Sequence, residues 1–352
     1  MPSDANGLDH LRRPPVSRAP ASGGSFDRRA PRPQSAPKQR NTHGPADQTG
    51  PNTEVSYRSG SILSGSISFR RVTQRFGATT VFQDDSFELS SGLTFLVGRN
   101  GAGKSTLIRL ATGLQRPDAG EIRIFSDRTR SITQETKRRF GLQLQNDAFL
   151  KSVRVREYVD LYRTMYLTRT SAPTVDLTEV ADLLDIASIA GAYAAALSGG
   201  QKKRLSLFLA IIGRKELLIL DEPTAGIDID VTDRIMRVIR LLQRQNIDLL
   251  VSSHDLSEFF EIADNVLVVD HGIQFDGSRA EFLATYGYTH KVIVPTRSPQ
   301  VGLPWVQHED GISYFAFSGE ELREFFPDQP LVATTAKDLY QLATRADDRR
   351  MT

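Results

Sequence analysis

The 352-residue sequence contains no cysteine. This excludes disulfides and thiolate metal sites and agrees with a reducing compartment. Long hydrophobic runs are also missing. A membrane-spanning helix needs about 20 consecutive apolar residues, and runs such as Leu217–Leu220 and Val266–Val269 are far shorter. The chain is therefore not expected to cross a bilayer by itself, and any transport pore must come from another polypeptide. The start is polar and proline-rich with no apolar h-region, so no secretory signal is expected. Neither sign of charge dominates: the formal net charge of +2 implies no particular class of partner. No internal repeat is visible, so the chain carries one set of motifs.

Residues 1–61 are rich in Pro, Arg, Ser, Gly and Asn, with few apolar residues and no periodicity. Such a segment cannot bury enough surface to offset its ordering entropy and reads as a disordered tail. Arg12, Arg13, Arg18, Arg28, Arg29 and Arg32 make it mildly basic. A solvated tail is the simpler reading; a tether to anionic lipid or nucleic acid is the alternative.

Further on, alternating apolar and polar residues over Ile67–Thr73 and Phe82–Leu89 predict early strands. Leu93–Val97 is a buried-type strand running into a glycine-rich loop. Leu107, Ile108, Leu110 and Ala111 then form a helical face, stopped by Gly113. Pro117–Gly120 reads as a turn and Glu121–Phe125 as a strand. Between about 147 and 197, Val155–Leu167 and Leu177–Ile189 are helix-like, as if inserted between two halves of an α/β core. The core resumes at Leu217–Leu220. A helix with Ile235, Val238, Ile239 and Leu242 on one face follows, then short strands at Leu249–Ser252 and Val266–Val269. Short apolar runs alternating with helices indicate a parallel sheet. Residues 286–352 read as a small α/β appendage with no visible chemistry. Its candidate elements are strands at Val292–Val294 and Ile312–Phe317, a helix at Glu320–Phe326, and a last helix capped near Thr335 and containing Leu339, Leu342 and Ala343.

Three motifs carry chemistry. Gly98, Arg99, Asn100, Gly101, Ala102, Gly103, Lys104, Ser105 and Thr106 match G-x-x-x-x-G-K-[ST] between a strand and a helix. The glycines let successive N–H groups point at phosphate oxygens, and the helix starting near Lys104 aims its positive end at the same anion. Lys104 supplies a charge for the β- and γ-phosphates, and the Ser105 hydroxyl is placed to bind Mg²⁺. A glycine-rich turn followed by Lys-Ser is the bland alternative, and the strand and helix on either side argue against it. The second motif, Leu217–Glu222, is an apolar strand ending in two acids, at the strand end where ligands bind in doubly wound folds. Asp221 suits Mg²⁺, and Glu222, pointing elsewhere, could polarise a water. The bland alternative is a solvated acidic turn. The third is Leu197-Ser198-Gly199-Gly200-Gln201. Ser198 with Gln201 forms a capping box, so a helix starts here, with Leu205, Phe208, Leu209 and Ile212 on its apolar face. Two glycines in its first turn leave backbone N–H groups open to an anion.

Taken together, and in this order, the motifs of residues 65–285 closely resemble the nucleotide-binding subunit of ABC transporters. The resemblance implies a P-loop NTPase (RecA-like) α/β core with a helical signature subdomain at about 147–212. Gly98–Thr106 is similar to the Walker A loop, Gln145 to the Q-loop glutamine, Leu197–Gln201 to the LSGGQ signature and Leu217–Glu222 to Walker B with its catalytic Glu. Ala225–Asp228 resembles the D-loop, His254 the H-loop histidine, and Phe76 an aromatic that stacks on adenine. Two departures stand out: Leu144, where the family often has proline, and the small apolar stretch Tyr193–Ala196 before the signature.

What the resemblance implies is an ATPase using ATP and Mg²⁺. Glu222, His254 and Gln145 would serve catalysis, and Ser105, Gln145 and Asp221 the metal. Ser198, Gly199, Gly200 and Gln201 would contact ATP held by a second ATPase subunit, and Asp228 would link the two sites. A transmembrane permease subunit is the implied partner, at the inner face of the cell membrane, with no nucleic acid. Asp147–Val159 resembles the coupling region of transport-type subunits. A single ATPase unit with a short tail looks most like drug- or antibiotic-efflux exporters. The alternative is a non-transport ABC ATPase acting on nucleic acid or the ribosome.

Overall fold

The computed structural model describes residues 66–146, 148–167, 174–295, 302–308 and 311–344. The expected disordered tail and Asp147, the first residue of the expected coupling region, lie outside them.

The chain begins with β1 (Ile67–Phe76), β2 (Thr79–Glu88) and β3 (Leu93–Val97). Then come α1 (Lys104–Ala111), β4 (Ala119–Ile124), β5 (Asp127–Arg128), α2 (Gln134–Arg139) and β6 (Phe140–Gln143). A helical stretch follows, with α3 (Val155–Tyr166), α4 (Leu177–Leu183) and α5 (Gly199–Ile211). The α/β pattern returns with β7 (Leu217–Asp221), α6 (Ile229–Arg244), β8 (Asp248–Ser253), α7 (Leu256–Phe259), β9 (Asn265–Val269), β10 (Ile273–Ser278) and α8 (Arg279–Tyr286). The last elements are β11 (His290–Val294), β12 (Trp305–His308), β13 (Gly311–Ala316), α9 (Gly319–Phe325), β14 (Val332–Ala333) and α10 (Ala336–Thr344).

These strands form three sheets. The central six-stranded sheet has the order β10-β9-β3-β8-β7-β6, parallel except for β10 at its edge. β3 and β7 are buried along their whole length, as their unbroken apolar sequences require of central strands. An antiparallel sheet, β2-β1-β4-β5, packs its Ile67, Phe69, Val72 and Ile122 with Leu107 and Ile108 of α1 and Leu96 and Leu250 of the central sheet. The loop between β3 and α1 is thus held from both sides.

The helices differ from expectation in instructive ways. α6 buries Ile235, Val238, Ile239 and Leu242, as its periodicity predicts. α5 is buried almost all round beyond Arg204 rather than on one face, because it lies between β6 on one side and α3 and α6 on the other. Its approach to β6 is close: a Cβ on Gly141 would sit 2.1 Å from the Ala210 carbonyl oxygen. The stretch read as one helix from Leu177 stops at Leu183, and Asp185, at φ +50°, turns the chain into a short 3-10 turn at Ala187–Ile189. The expected Pro117–Gly120 turn gives way earlier, with β4 starting at Ala119.

The third sheet, β12-β13-β11-β14, is antiparallel. Two of its strands, β12 and β14, have no clear sequence signal because they are only four and two residues long. β13 is buried at every position. One of its faces meets Leu322 and Phe326 around α9, and the other meets Leu342 of α10. α10 is capped as expected: the Thr335 N–H and hydroxyl each donate to an Asp338 carboxylate oxygen at 2.7 Å.

Candidate functional site

The loop after β3 has little room. A Cβ on Gly98 would lie 2.5 Å from the Val269 carbonyl oxygen, and one on Gly103, at φ +113°, would lie 2.7 Å from Val81 Cγ1. Ala102 is buried, and its carbonyl accepts from the His271 N–H at 3.1 Å. Gly103 caps α1 with no side-chain hydrogen bond, and the first turn of α1 has no acidic residue. Its first-turn N–H groups and partial positive charge are left for an anion in the adjoining cleft.

Lys104 is buried here. Its ammonium donates to the Gly98 and Arg99 carbonyl oxygens at 2.7 and 3.2 Å and lies 3.4 Å from Glu222 Oε1. The two acids after β7 diverge because Glu222 adopts φ +48°, a left-handed conformation rarely held by a residue with a side chain. Ser252, on β8, secures this turn: its hydroxyl donates to Asp221 Oδ1 at 2.7 Å and accepts from the Glu222 N–H at 2.9 Å. Glu222 Oε2 accepts from Gln145 Nε2 at 3.0 Å, and Oε1 lies 3.7 Å from His254 Nδ1. Glu222 is therefore where Lys104, Gln145 and His254 meet, although they come from three separate parts of the chain.

Around this carboxylate is a cleft of about 460 Å³ lined by Phe76, Arg99, Asn100, Gly101, Gly103, Lys104, Ser105, Thr106, Gln145, Glu222 and His254. Phe76 ends β1 and is 49% exposed, so it offers a ring face at the cleft rather than filling the core. Gly101, at φ +85°, has nothing within 4 Å of an added Cβ.

Ser198, Gly199, Gly200 and Gln201 do not line this cleft. They form the start of α5, where the Ser198 hydroxyl accepts from the Gln201 N–H at 3.3 Å and Gln201 Oε1 accepts from the Ser198 N–H at 3.0 Å. A Cβ on Gly200 would meet Val231 at 3.4 Å, which puts this helix start beside the first turn of α6. Asp228 is the N-cap of α6, accepting from the Val231 N–H at 2.9 Å.

Among the described residues, no group of three or more His, Cys, Asp or Glu could hold a metal ion. Mg²⁺ does not need one, because it keeps several waters and binds through one or two protein oxygens plus substrate phosphates. The Ser105 hydroxyl, the Asp221 oxygen not bonded to Ser252, and Gln145 Oε1 are hard oxygen donors of that kind. The donor set fits.

Three contributors have no role in the sequence reading. Ser252 enters that reading only as the last residue of the strand Leu249–Ser252. Lys203, on α5, donates from Nζ to the Glu222 carbonyl oxygen, which ties α5 to the turn that carries Asp221 and Glu222. The third is Tyr340 on α10, whose hydroxyl oxygen accepts from the Arg99 N–H at 2.9 Å. No local pattern announces a contact across that sequence distance.

Fold and cleft together define a P-loop nucleotide-binding domain. The family model described as ABC transporter matches residues 82–225. A sulfate/thiosulfate import ATP-binding protein, CysA 2, of Chromobacterium violaceum is 33% identical over 222 residues, 62% of this chain and 60% of that protein. A methionine import ATP-binding protein, MetN, of Mesorhizobium japonicum is 34% identical over 205 residues, 56% of each chain. The match thus spans less than two thirds of either relative's length. Among solved structures, an ATP binding subunit of an ABC transporter aligns with a TM-score of 0.57 at 21% identity, covering 63% of this chain and 93% of the other. A dimeric bacterial ABC transporter cassette aligns at 0.52 and 19%, covering 60% and 98%. At these identities the structures speak for the fold. Among the described residues no helix is long and apolar enough to cross a membrane.

Proposed function

We propose that this chain binds and hydrolyses ATP as the nucleotide-binding subunit of an ABC transporter, paired with a second ATPase subunit and docked on a transmembrane permease at the inner face of the membrane. The observation that carries the reading is Glu222. Its carboxylate is turned by a left-handed backbone into the phosphate-loop cleft and held there by Lys104 and Gln145.

In this reading the Gly98–Thr106 N–H groups and the Lys104 ammonium hold the β- and γ-phosphates, and Phe76 stacks on the adenine. Bound Mg²⁺ would neutralise phosphate charge, held by Ser105 and Asp221 with Gln145 nearby. Glu222 orients a water and accepts its proton as the oxygen attacks the γ-phosphorus and the bond from that phosphorus to the β,γ-bridging oxygen breaks, leaving ADP and phosphate. His254, close to the same carboxylate, holds the departing phosphate's side of the cleft. Gln145 links the cleft to the helical region that follows it. Ser198–Gln201 and Asp228, outside the cleft, serve the ATP of the second subunit. The tail at 1–61, the ATPase domain at 65–285 and the appendage at 286–352 are the working divisions of the chain.

Direction of transport is a separate matter. The named relatives above are import proteins, so the export expected from the sequence has no support among them. The non-transport alternative has none either.

The test is ATP turnover by the purified protein with and without Glu222→Gln. The substitution keeps the shape and removes the base, so turnover should fall by about 10²–10⁴-fold while ATP binding persists. Turnover at the wild-type rate would remove Glu222 from the mechanism. Copurification of a polytopic membrane protein tests the transport assignment.

A further inference from the structure

The C-terminal appendage reaches the nucleotide loop. α10 is fixed to the third sheet at two points. Leu342 packs with Val306 and Phe315, and the Asp338 carboxylate is bonded to Lys291 Nζ of β11 at 2.8 and 2.9 Å, with both side chains largely buried. Burial alone would raise the Asp338 pKa; the hydrogen bonds from Lys291 and Thr335 outweigh it and hold the group below the ordinary carboxylate range. Between these two anchors in sequence lies Tyr340, itself buried, with its hydroxyl on the Arg99 N–H. Desolvation pushes the Tyr340 hydroxyl up to about 12, so it remains a neutral acceptor at any physiological pH.

This bond matters because of what surrounds it. The flank of the loop facing α10 is a cavity of about 690 Å³ lined by Arg99, His254, Lys337, Tyr340 and Gln341, among others, rather than close-packed core. The same Arg99 and His254 also line the phosphate-loop cleft. On that flank a directional hydrogen bond, not side-chain packing, sets where the loop backbone sits.

We propose that Tyr340 is a positioning residue for the nucleotide loop, and that through it α10 makes ATP affinity depend on the seating of the C-terminal appendage. The proposal rests on the reading of Gly98–Thr106 as an ATP site. Arg99 opens the loop two residues before Gly101, so fixing its N–H fixes the entry to the turn whose N–H groups meet the phosphates. Losing the bond lets the loop sample other conformations, and ATP then binds only to the competent fraction.

The experiment uses the full chain with Tyr340→Phe, which removes one oxygen and keeps the ring in its buried place. The dissociation constant for ATP and the KM should both rise about tenfold, with kcat within about twofold, because the bond acts before the chemistry. The thermal midpoint should move by no more than about 3 °C. A second variant, Asp338→Asn, weakens the anchor of α10 without touching the loop and should shift ATP affinity in the same direction. If the wild type binds ATP and Tyr340→Phe binds it equally well, this inference fails and the site assignment stands. Reduced kcat at unchanged KM, or a collapse of the thermal midpoint alongside lost binding, also overturns it. If the wild type binds no ATP, the site assignment fails and takes this inference with it.

Discussion

Two helices in this molecule start on glycine-rich turns, and they are finished in opposite ways. α1 begins after Gly103 with no side-chain cap, where Gly103 itself is buried against Val81 of β2 and Val269 of β9. α5 begins after Ser198 with a complete capping box, at an exposed turn. The first leaves its N–H groups for a ligand within the same chain. The second satisfies its own terminus and presents two glycines outward. One is built as a receptacle and the other as a preformed face for something brought to it. Only the first has Lys104, Gln145, Glu222 and His254 gathered beside it. What α5 shares with that site is indirect, through Lys203 on the Glu222 carbonyl.

The sharpest way to break this contrast is to add one methyl group to each turn. Gly103→Ala is expected to be the more damaging. Its Cβ would sit 2.7 Å from Val81 Cγ1 at a backbone φ of +113° that side chains rarely adopt. We expect a loss of more than about 2 kcal/mol in stability, seen in denaturant unfolding, together with loss of ATP binding. Retained binding at wild-type stability would mean that the loop is not held as described.

Gly199→Ala should separate the two helix starts most clearly. An added Cβ there meets nothing within 4 Å, and the backbone is not left-handed. The fold should therefore tolerate it, with stability unchanged or up to about 1 kcal/mol higher from the better helix former. ATP binding by the single subunit should also persist. Turnover should nonetheless fall about tenfold, because the methyl group occupies a surface that a second subunit's nucleotide must approach. Full turnover in a well-folded Gly199→Ala protein would refute the role given to α5 as the second half of the site.

Legibility followed the same division. The phosphate loop and the two acids were readable because phosphate chemistry demands particular residue types at fixed spacing: Gly98–Thr106, Asp221 and Glu222 each stand in a short local pattern, although Asp221 is buried beside the cleft rather than lining it. Gln145, His254 and Phe76 gained meaning only from family resemblance, since each is a single residue, and the structure puts all three at the cleft. Ser252, Lys203 and Tyr340 were not legible. Their contacts cross from one element to another, and nothing in their local sequence requires a partner. The same reason explains β12 and β14, two of the strands that the sequence does not announce, which pair on the edges that β13 and β11 offer them. The one-sided apolar face expected for α5 also failed on long-range grounds, since burial on several sides depends on neighbours that periodicity cannot see.

The smallest expected effect tests whether the α5 cap is structural alone. Ser198→Ala removes the hydroxyl that accepts from the Gln201 N–H and leaves the other half of the box, the backbone N–H of residue 198 on Gln201 Oε1, in place. Loss of such a cap costs about 1 kcal/mol, which in a domain of this size is a fall of about 2–4 °C in the thermal midpoint. ATP affinity of the isolated subunit should not change, because Ser198 lies outside the phosphate-loop cleft and α1 has no counterpart cap to lose. If Ser198→Ala weakened ATP binding in the single subunit, α5 and the loop would be parts of one site within the chain, and the contrast between the two helix starts would not hold.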